Sequence, residues 1–318
     1  MQNCPRRNQR KPKEADMTII DTTSGIQDIF IDGHFDLSKW EEYIEKFVPG
    51  AKDICLNDMM DCRNAGYTWE KDYLPILDSV YSDINRRDKA IESFAQVTSN
   101  LDDRIYEVFH RTVDVDVYLY LGLCNGAGWV TSVLGKTTIL LGIEKIIELD
   151  WCDVDSMNGL IIHELGHAYQ NQYGILKIAT ESLSDSFLWQ LFTEGVAMTF
   201  EQEIIGSPDY FHQDRDGWKA WCETHLELIT KSFCDDMKTM TRENQTYFGD
   251  WVDFHGHIDV GYYLGTRFVR FMMETDSFDN IINYRLNKVK EEFKRFGAKG
   301  EKNVFSERGV TKKIHKCL

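Results

Sequence analysis

The chain has 318 residues, of which 42% are hydrophobic and 28% are charged, and its formal net charge is -16. This length suffices for one large domain or two closely joined ones, and the composition is that of an ordinary globular protein. The acidic balance disfavours nucleic acid and anionic membranes as partners, because phosphate groups bind to basic surfaces. No apolar run reaches the roughly 18 residues that span a bilayer, so we expect a cytoplasmic protein.

The first part of the chain predicts a tail followed by helices. Residues 1–16 carry several basic side chains but no apolar run, which does not fit a secretory signal, and we expect a disordered basic tail. Residues 17–112 form the predicted N-terminal helical region. Asp36 is placed to cap its first helix, and the same apolar spacing returns over 73–84 and 88–109.

The cysteines do not indicate a disulfide framework or a zinc ribbon. None of the eight belongs to a CxxC pair, so we expect reduced, mostly structural thiols. They are Cys4, Cys55, Cys62, Cys124, Cys152, Cys222, Cys234 and Cys317.

The pattern changes to strands in the middle of the chain. Valine and leucine alternate with aspartate and tyrosine over 113–121, which predicts a half-buried strand. A glycine-rich loop is expected at 125–129, and a second strand at 137–143. The predicted sheet stands immediately before the helix that carries the histidines described below. An edge strand there can pair with an extended peptide through main-chain hydrogen bonds, and the alternative is a hairpin that only packs on helices.

The sequence HELGH, which begins at His163, carries the strongest chemical signal. Its neighbours are mostly apolar and predict a buried helix that has Asp153, Asp155 or Ser156 as its N-terminal cap and Gly174 as its stop. Residues four apart share one helix face, so His163 and His167 can hold one zinc ion, while Glu164 can act on water at that ion. The alternative is a pair of core histidines satisfied by neighbouring groups.

A two-histidine zinc site needs a third protein ligand. A second long helix is predicted over 187–205, and Glu194 on that helix is the best placed candidate. The metzincin arrangement is excluded, because Tyr173 stands where it would require a histidine. The rival ligands are acidic residues nearby in the chain, the last two of them in what reads as an ordinary charged helix end: Glu181, Asp185, Glu201 and Glu203.

HELGH followed by a helix bearing TEGVA resembles the gluzincin clan of zinc metallopeptidases, to which thermolysin and aminopeptidase N belong. The spacing from His167 to Glu194 is longer than in those two. It is more similar to a group of small bacterial "predicted Zn-dependent proteases". That group also has an Asn-Gly-rich loop and a Gly-Tyr-x-x-Gly element, found here at Asn125-Gly126 and at 261–265.

The resemblance spans roughly residues 113–275 and implies an α+β, mostly helical fold. Its parts would be a thermolysin-like zincin core, with a small antiparallel or mixed sheet before the HExxH helix, and a helical C-terminal subdomain. We therefore expect a catalytic core at 113–206 and a C-terminal helical subdomain that closes the cleft at 207–318. The aminopeptidase motif Gly-x-Met-x-Asn is absent, and the loop here reads NGAGW, which favours an endopeptidase.

The tyrosine of the Gly-Tyr-x-x-Gly element is Tyr262. The resemblance implies that it could enter the cleft and donate a hydrogen bond to the oxyanion of the tetrahedral intermediate. Tyr263, His255 and His257 are alternatives for that role, and the two histidines could instead form an accessory metal site. The remaining histidines of the second half have no predicted role: His212, His225 and His315.

The sequence therefore predicts a zinc metallopeptidase that acts on a peptide or protein. One zinc per chain would be held by His163, His167 and Glu194, while Glu164 takes a proton from water and delivers it to the leaving nitrogen. Two alternatives stay open, namely a zinc-bearing interaction or regulatory protein without turnover and a hydrolase of a non-peptide amide. Glu164 disfavours the first, because a purely structural site gains nothing from that carboxylate.

Overall fold

The structure is a computed structural model that describes residues 17–241, 244–249 and 251–298. The predicted basic tail at 1–16 lies outside these residues, as do Cys4 and Cys317. The described chain is an α+β protein, mostly helical, with one small mixed sheet, so the predicted fold class is confirmed at that level.

A four-stranded sheet forms the β part of the fold. Its strands stand in the order β1-β4-β6-β5, with β1, β4 and β6 parallel and β5 antiparallel to β6. A separate two-stranded hairpin consists of β2 and β3. The six strands are β1 (Thr18–Asp21), β2 (Phe30–Ile31), β3 (His34–Phe35), β4 (Asp116–Tyr120), β5 (Gly128–Val133) and β6 (Lys136–Gly142).

Both predicted strands exist, and the second of them lies inside the sheet and not at its edge. The strand predicted at 137–143 is β6, which is hydrogen-bonded to β4 on one side and to β5 on the other. β6 therefore has no free edge with which a peptide could pair. One edge strand is β5, whose first residues lie in the predicted glycine-rich loop, and the other is β1.

A tight turn joins β5 to β6. Its two central residues, Leu134 and Gly135, have φ angles of 51° and 83°. Positive φ at both central positions is the geometry of a two-residue turn that matches the twist of antiparallel strands. This turn fixes the register in which Gly128 faces Leu141 and Val133 faces Lys136.

Helices make up most of the remaining chain. The α-helices are α1 (Leu37–Phe47), α2 (Lys52–Asn64), α3 (Leu74–Ser82), α4 (Ile84–Thr98), α5 (Leu101–Phe109), α6 (Ile143–Glu148), α7 (Val154–Tyr173), α8 (Leu183–Ile205), α9 (Trp218–Thr224), α10 (Leu226–Asp236), α11 (Val260–Met273), α12 (Phe278–Ile281) and α13 (286–298). A 3-10 helix covers Thr23–Ile29 and a π-helical turn covers Trp69–Tyr73. Within the described residues, none of these helices is long and apolar enough to cross a membrane.

Local signals account for the helix that follows the N-terminal strands. The Asp36 carboxylate accepts a hydrogen bond from the backbone N–H of Lys39, as expected of an N-cap. The apolar face of α1 is buried, and the Trp40 indole donates to the carbonyl of Leu121 just beyond β4. The helical pattern at 88–109 instead forms two helices, α4 and α5, with a break at residues 99–100.

The HELGH helix has the predicted limits. Asp153 caps α7 by accepting hydrogen bonds from two backbone N–H groups in the first turn, and Gly174 follows its last residue. The helix packs against β5, β6, α4 and α8, which buries most of its surface. The second long helix, α8, starts at Leu183 and is capped by Ser182, a few residues earlier than predicted.

None of the six cysteines in the described chain forms a disulfide, in agreement with the predicted reduced thiols. Cys55, Cys152 and Cys222 are buried, and burial raises the pKa of each thiol. They therefore behave as small apolar core residues.

Glu144 is a fully buried carboxylate behind the loop that leads into β5. It accepts hydrogen bonds from the backbone N–H groups of Gly122 and Cys124, at 2.9 and 3.1 Å. A Cβ atom at Gly122 or Gly142 would approach Glu144 Oε1 to 2.6 or 2.9 Å, so the cradle requires glycine at both positions. Burial raises the pKa of Glu144 to about 7, because the loss of hydration outweighs the two N–H donors.

The protonation of Glu144 should make stability depend on pH. A folded-state pKa above the ordinary value of 4.5 gives stability that is present below pH 4.5 and is lost as pH rises through about 7. Between pH 5 and 8 the free energy of unfolding of the wild type, measured relative to Glu144→Gln, should fall by roughly 3 kcal/mol. Urea denaturation across this range measures the difference, and a constant offset between the two proteins would contradict the assignment.

Candidate metal centre

Two imidazoles and one carboxylate meet between α7 and α8. The rings of His163 and His167 lie one helical turn apart, with centroids separated by 4.9 Å and planes at 89°. Their Nε2 atoms lie 3.2 and 3.3 Å from the same oxygen, Oε2 of Glu194. The structure therefore brings together the three residues that the sequence predicted as ligands.

The close approach of α7 to α8 depends on the glycine of HELGH. A Cβ atom on Gly166 would lie 2.8 Å from the Cα atom of Ala197. Because no side chain stands between the two backbones at this point, Glu194, one turn before Ala197, reaches both histidines. A larger residue at 166 would separate the helices at the site itself.

A second glycine contact fixes α8 from its other side. A Cβ atom on Gly195 would lie 2.2 Å from the carbonyl oxygen of Gly265 in α11, and one on Gly265 would lie 2.4 Å from the carbonyl oxygen of Leu191. Gly265 thus allows a close approach between the backbones of α11 and α8. Gly261 instead gives room to the ring of Phe248.

The geometry suits a metal ion. One ligand atom from each of His163, His167 and Glu194 can be chosen so that all three lie within 4.8 Å of one another, and no other such group of three is found in the described residues. The Nδ1 atoms of both histidines are buried and have no hydrogen-bond partner within the described chain. Two imidazole nitrogens and a carboxylate are a ligand set typical of catalytic zinc. The residues fit a divalent cation.

The rival acidic residues take other positions. Glu181 is exposed in the loop before α8, and Asp185 forms an ion pair with Lys290. Glu203 pairs with Arg270. Glu201 is completely buried, so the expectation that it belongs to an ordinary charged helix end is wrong.

The charges at the centre are strongly coupled. Burial opposes ionisation of Glu194, but the imidazoles of His167 and His163 hold the pKa of its carboxyl well below the ordinary value. Burial likewise opposes protonation of His167, yet the Glu194 carboxylate beside it raises the pKa of the imidazole. Glu194 is therefore an anion at neutral pH, as a metal ligand must be.

Glu164 lies on the sheet side of the centre. Its side chain is buried, and a Cβ atom on Gly128 would lie 2.8 Å from its Cγ and 3.0 Å from its Oε1. The carboxylate is therefore adjacent to the first residue of the edge strand β5. Burial raises the pKa of Glu164, with the two neighbouring histidines opposing the shift.

The candidates for oxyanion stabilisation occupy different places. The ring centroid of Tyr262, in the first turn of α11, lies 5.6 Å from that of His163. Tyr263 is buried against the rings of Phe211 and Trp218. His257 stacks on Trp221 and His255 contacts Phe254. Of these four candidates, Tyr262 is the one in ring contact with the histidine pair.

The side of the centre formed by His212 and Glu201 was not predicted from the sequence. His212, in the loop after α8, has Nδ1 3.0 and 3.1 Å from the two carboxylate oxygens of Glu201. Its ring centroid lies 5.7 Å from that of His163. The spacing of seven between Glu194 and Glu201 places both on one helix face and could have indicated Glu201. Nothing in the sequence indicates His212.

Comparison with known proteins adds no identification. The chain matches no protein-family model, no curated protein and no solved structure. What the fold and the site define is an α+β protein with a largely buried His-His-Glu group that could hold a metal ion.

The three ligands should be needed for metal binding. We expect about one zinc ion per chain, and a severe loss of zinc in His163→Ala, His167→Ala and Glu194→Ala, because each removes one of three protein ligands. Elemental analysis after dialysis measures the content. Glu181→Ala is the matched control and should keep its zinc, whereas full zinc content in Glu194→Ala would make Glu194 the wrong ligand.

The glycine contact between α8 and α11 gives a stability test. Gly195→Ala should lower the free energy of unfolding by about 1–3 kcal/mol or more, because the new methyl group meets backbone that cannot rotate away. Gly297→Ala is the control, since no atom lies within 4 Å of a Cβ atom there. In helix α13 that substitution should be neutral or stabilise by up to about 1 kcal/mol. If Gly195→Ala and Gly297→Ala change the free energy of unfolding equally in urea denaturation, the contact between α8 and α11 is not tight.

Proposed function

We propose that this protein is a zinc-dependent metallopeptidase of the gluzincin type that cleaves peptide bonds within extended chains. The observation that carries the proposal is the joint placement of four side chains: His163, His167 and Glu194 converge, and Glu164 lies between them and an edge strand. We infer that the protein has a thermolysin-like core. Helix α11 would then belong to the helical region that follows this core in the chain.

Zinc is the metal that the ligand set favours. Catalytic zinc in proteins commonly has three protein ligands of the imidazole and carboxylate type and one open position. When bound, zinc lowers the pKa of water and polarises a carbonyl group. Glu194 supplies the negative charge, and the two histidines supply neutral nitrogen donors.

Glu164 is suited to move the proton. It is the residue next to the first histidine, so its carboxylate lies beside the ligands without being part of the converging group. Burial raises its pKa, which makes it a stronger base than an exposed glutamate. We infer that it takes the proton from the attacking water and later gives it to the leaving nitrogen.

The edge strand gives the substrate a place to bind. Within the described sheet β5 pairs only with β6, so its other edge can form main-chain hydrogen bonds with an extended peptide. Gly128, at the start of β5, contacts the Glu164 side chain, which would bring a bound peptide backbone close to the base. Such binding recognises the main chain of the peptide, and this favours cleavage within a peptide.

Tyr262 is the proposed oxyanion donor. Its ring lies next to that of His163 and packs edge-on against Phe248, with centroids 5.8 Å apart. A phenol there could donate a hydrogen bond as charge develops on the carbonyl oxygen.

The decisive test separates an enzyme from a zinc-bearing binding protein. Glu164→Gln should keep the zinc and the fold but lose hydrolysis by at least about 100-fold, because the amide cannot accept the proton. Cleavage of an unfolded protein substrate, followed by mass spectrometry of the products, measures the rate and shows whether cuts are internal.

The control substitution is Glu181→Gln, which changes the same charge in the exposed loop before α8 and should keep the wild-type rate. A thermal melt and a zinc assay on both variants show whether the scaffold survives. If the wild type and Glu164→Gln cleave equally, including no cleavage by either, the peptidase proposal fails. A zinc-bearing interaction protein would then be the better account.

A further inference from the structure

A buried histidine–carboxylate pair lies directly behind the first histidine of the centre. Glu201 is 0% exposed, and the side chain of His212 is 5% exposed. Gly159, one turn before His163 on α7, makes room for them, because a Cβ atom there would lie 2.3 Å from His212 Cβ and 3.0 Å from Glu201 Oε1. Three separate elements of the chain, α7, α8 and the loop after α8, therefore converge on this pair.

The Glu201 carboxylate also faces His163. Its Oε2 lies 3.9 Å from His163 Nδ1, a buried atom with no hydrogen-bond partner in the described chain. This distance is longer than a hydrogen bond but too short for a water molecule to stand between the two atoms. A hydrogen bond requires the two atoms to approach by about 1 Å.

Metal binding would create the need for that hydrogen bond. In the structure His163 Nε2 lies 3.2 Å from Glu194 Oε2, which fits a proton on Nε2. A histidine that binds a metal through Nε2 must leave that nitrogen unprotonated, so the neutral ring then carries its proton on Nδ1. That proton would point toward Glu201.

We propose that Glu201 is a positioning residue that accepts a hydrogen bond from His163 Nδ1 and thereby orients this ligand for zinc, while His212 holds the Glu201 carboxylate in place. The proposal rests on the metal site of the proposed function and deepens it. It assigns no contact with substrate to either residue.

Stability alone does not account for this arrangement. A carboxylate removed completely from water is costly, and apolar residues of similar size at the two positions would generally serve the core at least as well. A carboxylate that accepts a hydrogen bond from a metal-binding histidine has a recognised role, because it fixes the ring and makes the nitrogen a better ligand.

The experiment measures zinc affinity and not hydrolysis. The full chain is stripped of metal and titrated with zinc against a chromophoric chelator. Glu201→Gln should weaken zinc binding by about 10- to 100-fold relative to the wild type, the range found when such partners are removed. Glu203→Gln is the matched control, since it neutralises a carboxylate two residues further on the same helix and should change the affinity less than about twofold.

His212 is tested by a double substitution. His212→Asn alone should also weaken zinc binding, and the double variant Glu201→Gln/His212→Asn should be no weaker than Glu201→Gln, because the two residues act as one unit. If the losses of zinc affinity in the two single variants add up in the double variant, His212 does not act by holding Glu201 in place. Thermal melts of the metal-free proteins separate an effect on folding from an effect on affinity.

A measurement on the unaltered chain covers the case in which the variants do not fold. In the zinc-loaded wild type, histidine-selective ¹⁵N NMR should find His163 protonated at Nδ1, with that proton protected from exchange. A His163 ring bound through Nδ1, or wild-type zinc affinity in Glu201→Gln, would overturn this inference and leave the metal site intact. Absence of zinc binding by the wild type would overturn both the inference and the proposed function.

Discussion

The site depends on one contact, in which the Glu194 carboxylate meets the Nε2 atoms of two histidines from a neighbouring helix. A buried anion is unfavourable unless charge or hydrogen bonds compensate it. Here one oxygen lies 3.2 and 3.3 Å from the two imidazoles. The helices can bring these groups together only because Gly166 leaves no side chain between α7 and α8. The packing and the electrostatics of the centre therefore rely on the same short stretch of helix.

The same reliance on glycine recurs around the centre, each time where a functional group needs space. Gly195 and Gly265 let α11 lie against α8, which places Tyr262 next to His163. Gly128 lets the edge strand lie against Glu164, and Gly159 admits the Glu201–His212 pair. Replacement of any of these glycines by a larger residue would move a different part of the site.

The role of the sheet is to position its edge strand beside α7, and none of the side chains proposed to act in catalysis lies on it. Its edge strand β5 begins at the end of a loop whose backbone N–H groups are held by the buried carboxylate of Glu144. The turn at Leu134 and Gly135 then returns the chain antiparallel into β6. The loop bonded to Glu144 at one end and the two-residue turn at the other fix the edge strand relative to α7.

Local signals made the HELGH helix predictable, because its cap Asp153, its terminal Gly174 and the spacing of its histidines all lie within one segment. Glu194 could be chosen by its place on the next helix, and the structure places it beside both histidines. The edge strand was missed because its first residues read as a glycine-rich loop and its turn, Leu-Gly, lacks the usual asparagine or aspartate. The remaining features were not predicted because they are contacts between distant parts of the chain. Neither the β1–β4 pairing nor the contact of His212 with Glu201 has a signal in the local sequence.

Diffraction from crystals of the zinc-loaded chain, with anomalous data at the zinc absorption edge, would show directly which side chains hold the metal. We expect one strong peak bonded to Nε2 of His163, Nε2 of His167 and a carboxylate oxygen of Glu194, at about 2.0–2.2 Å, with a further position open toward Glu164 and β5. A peak elsewhere, or a fourth protein ligand that closes the site, would contradict it.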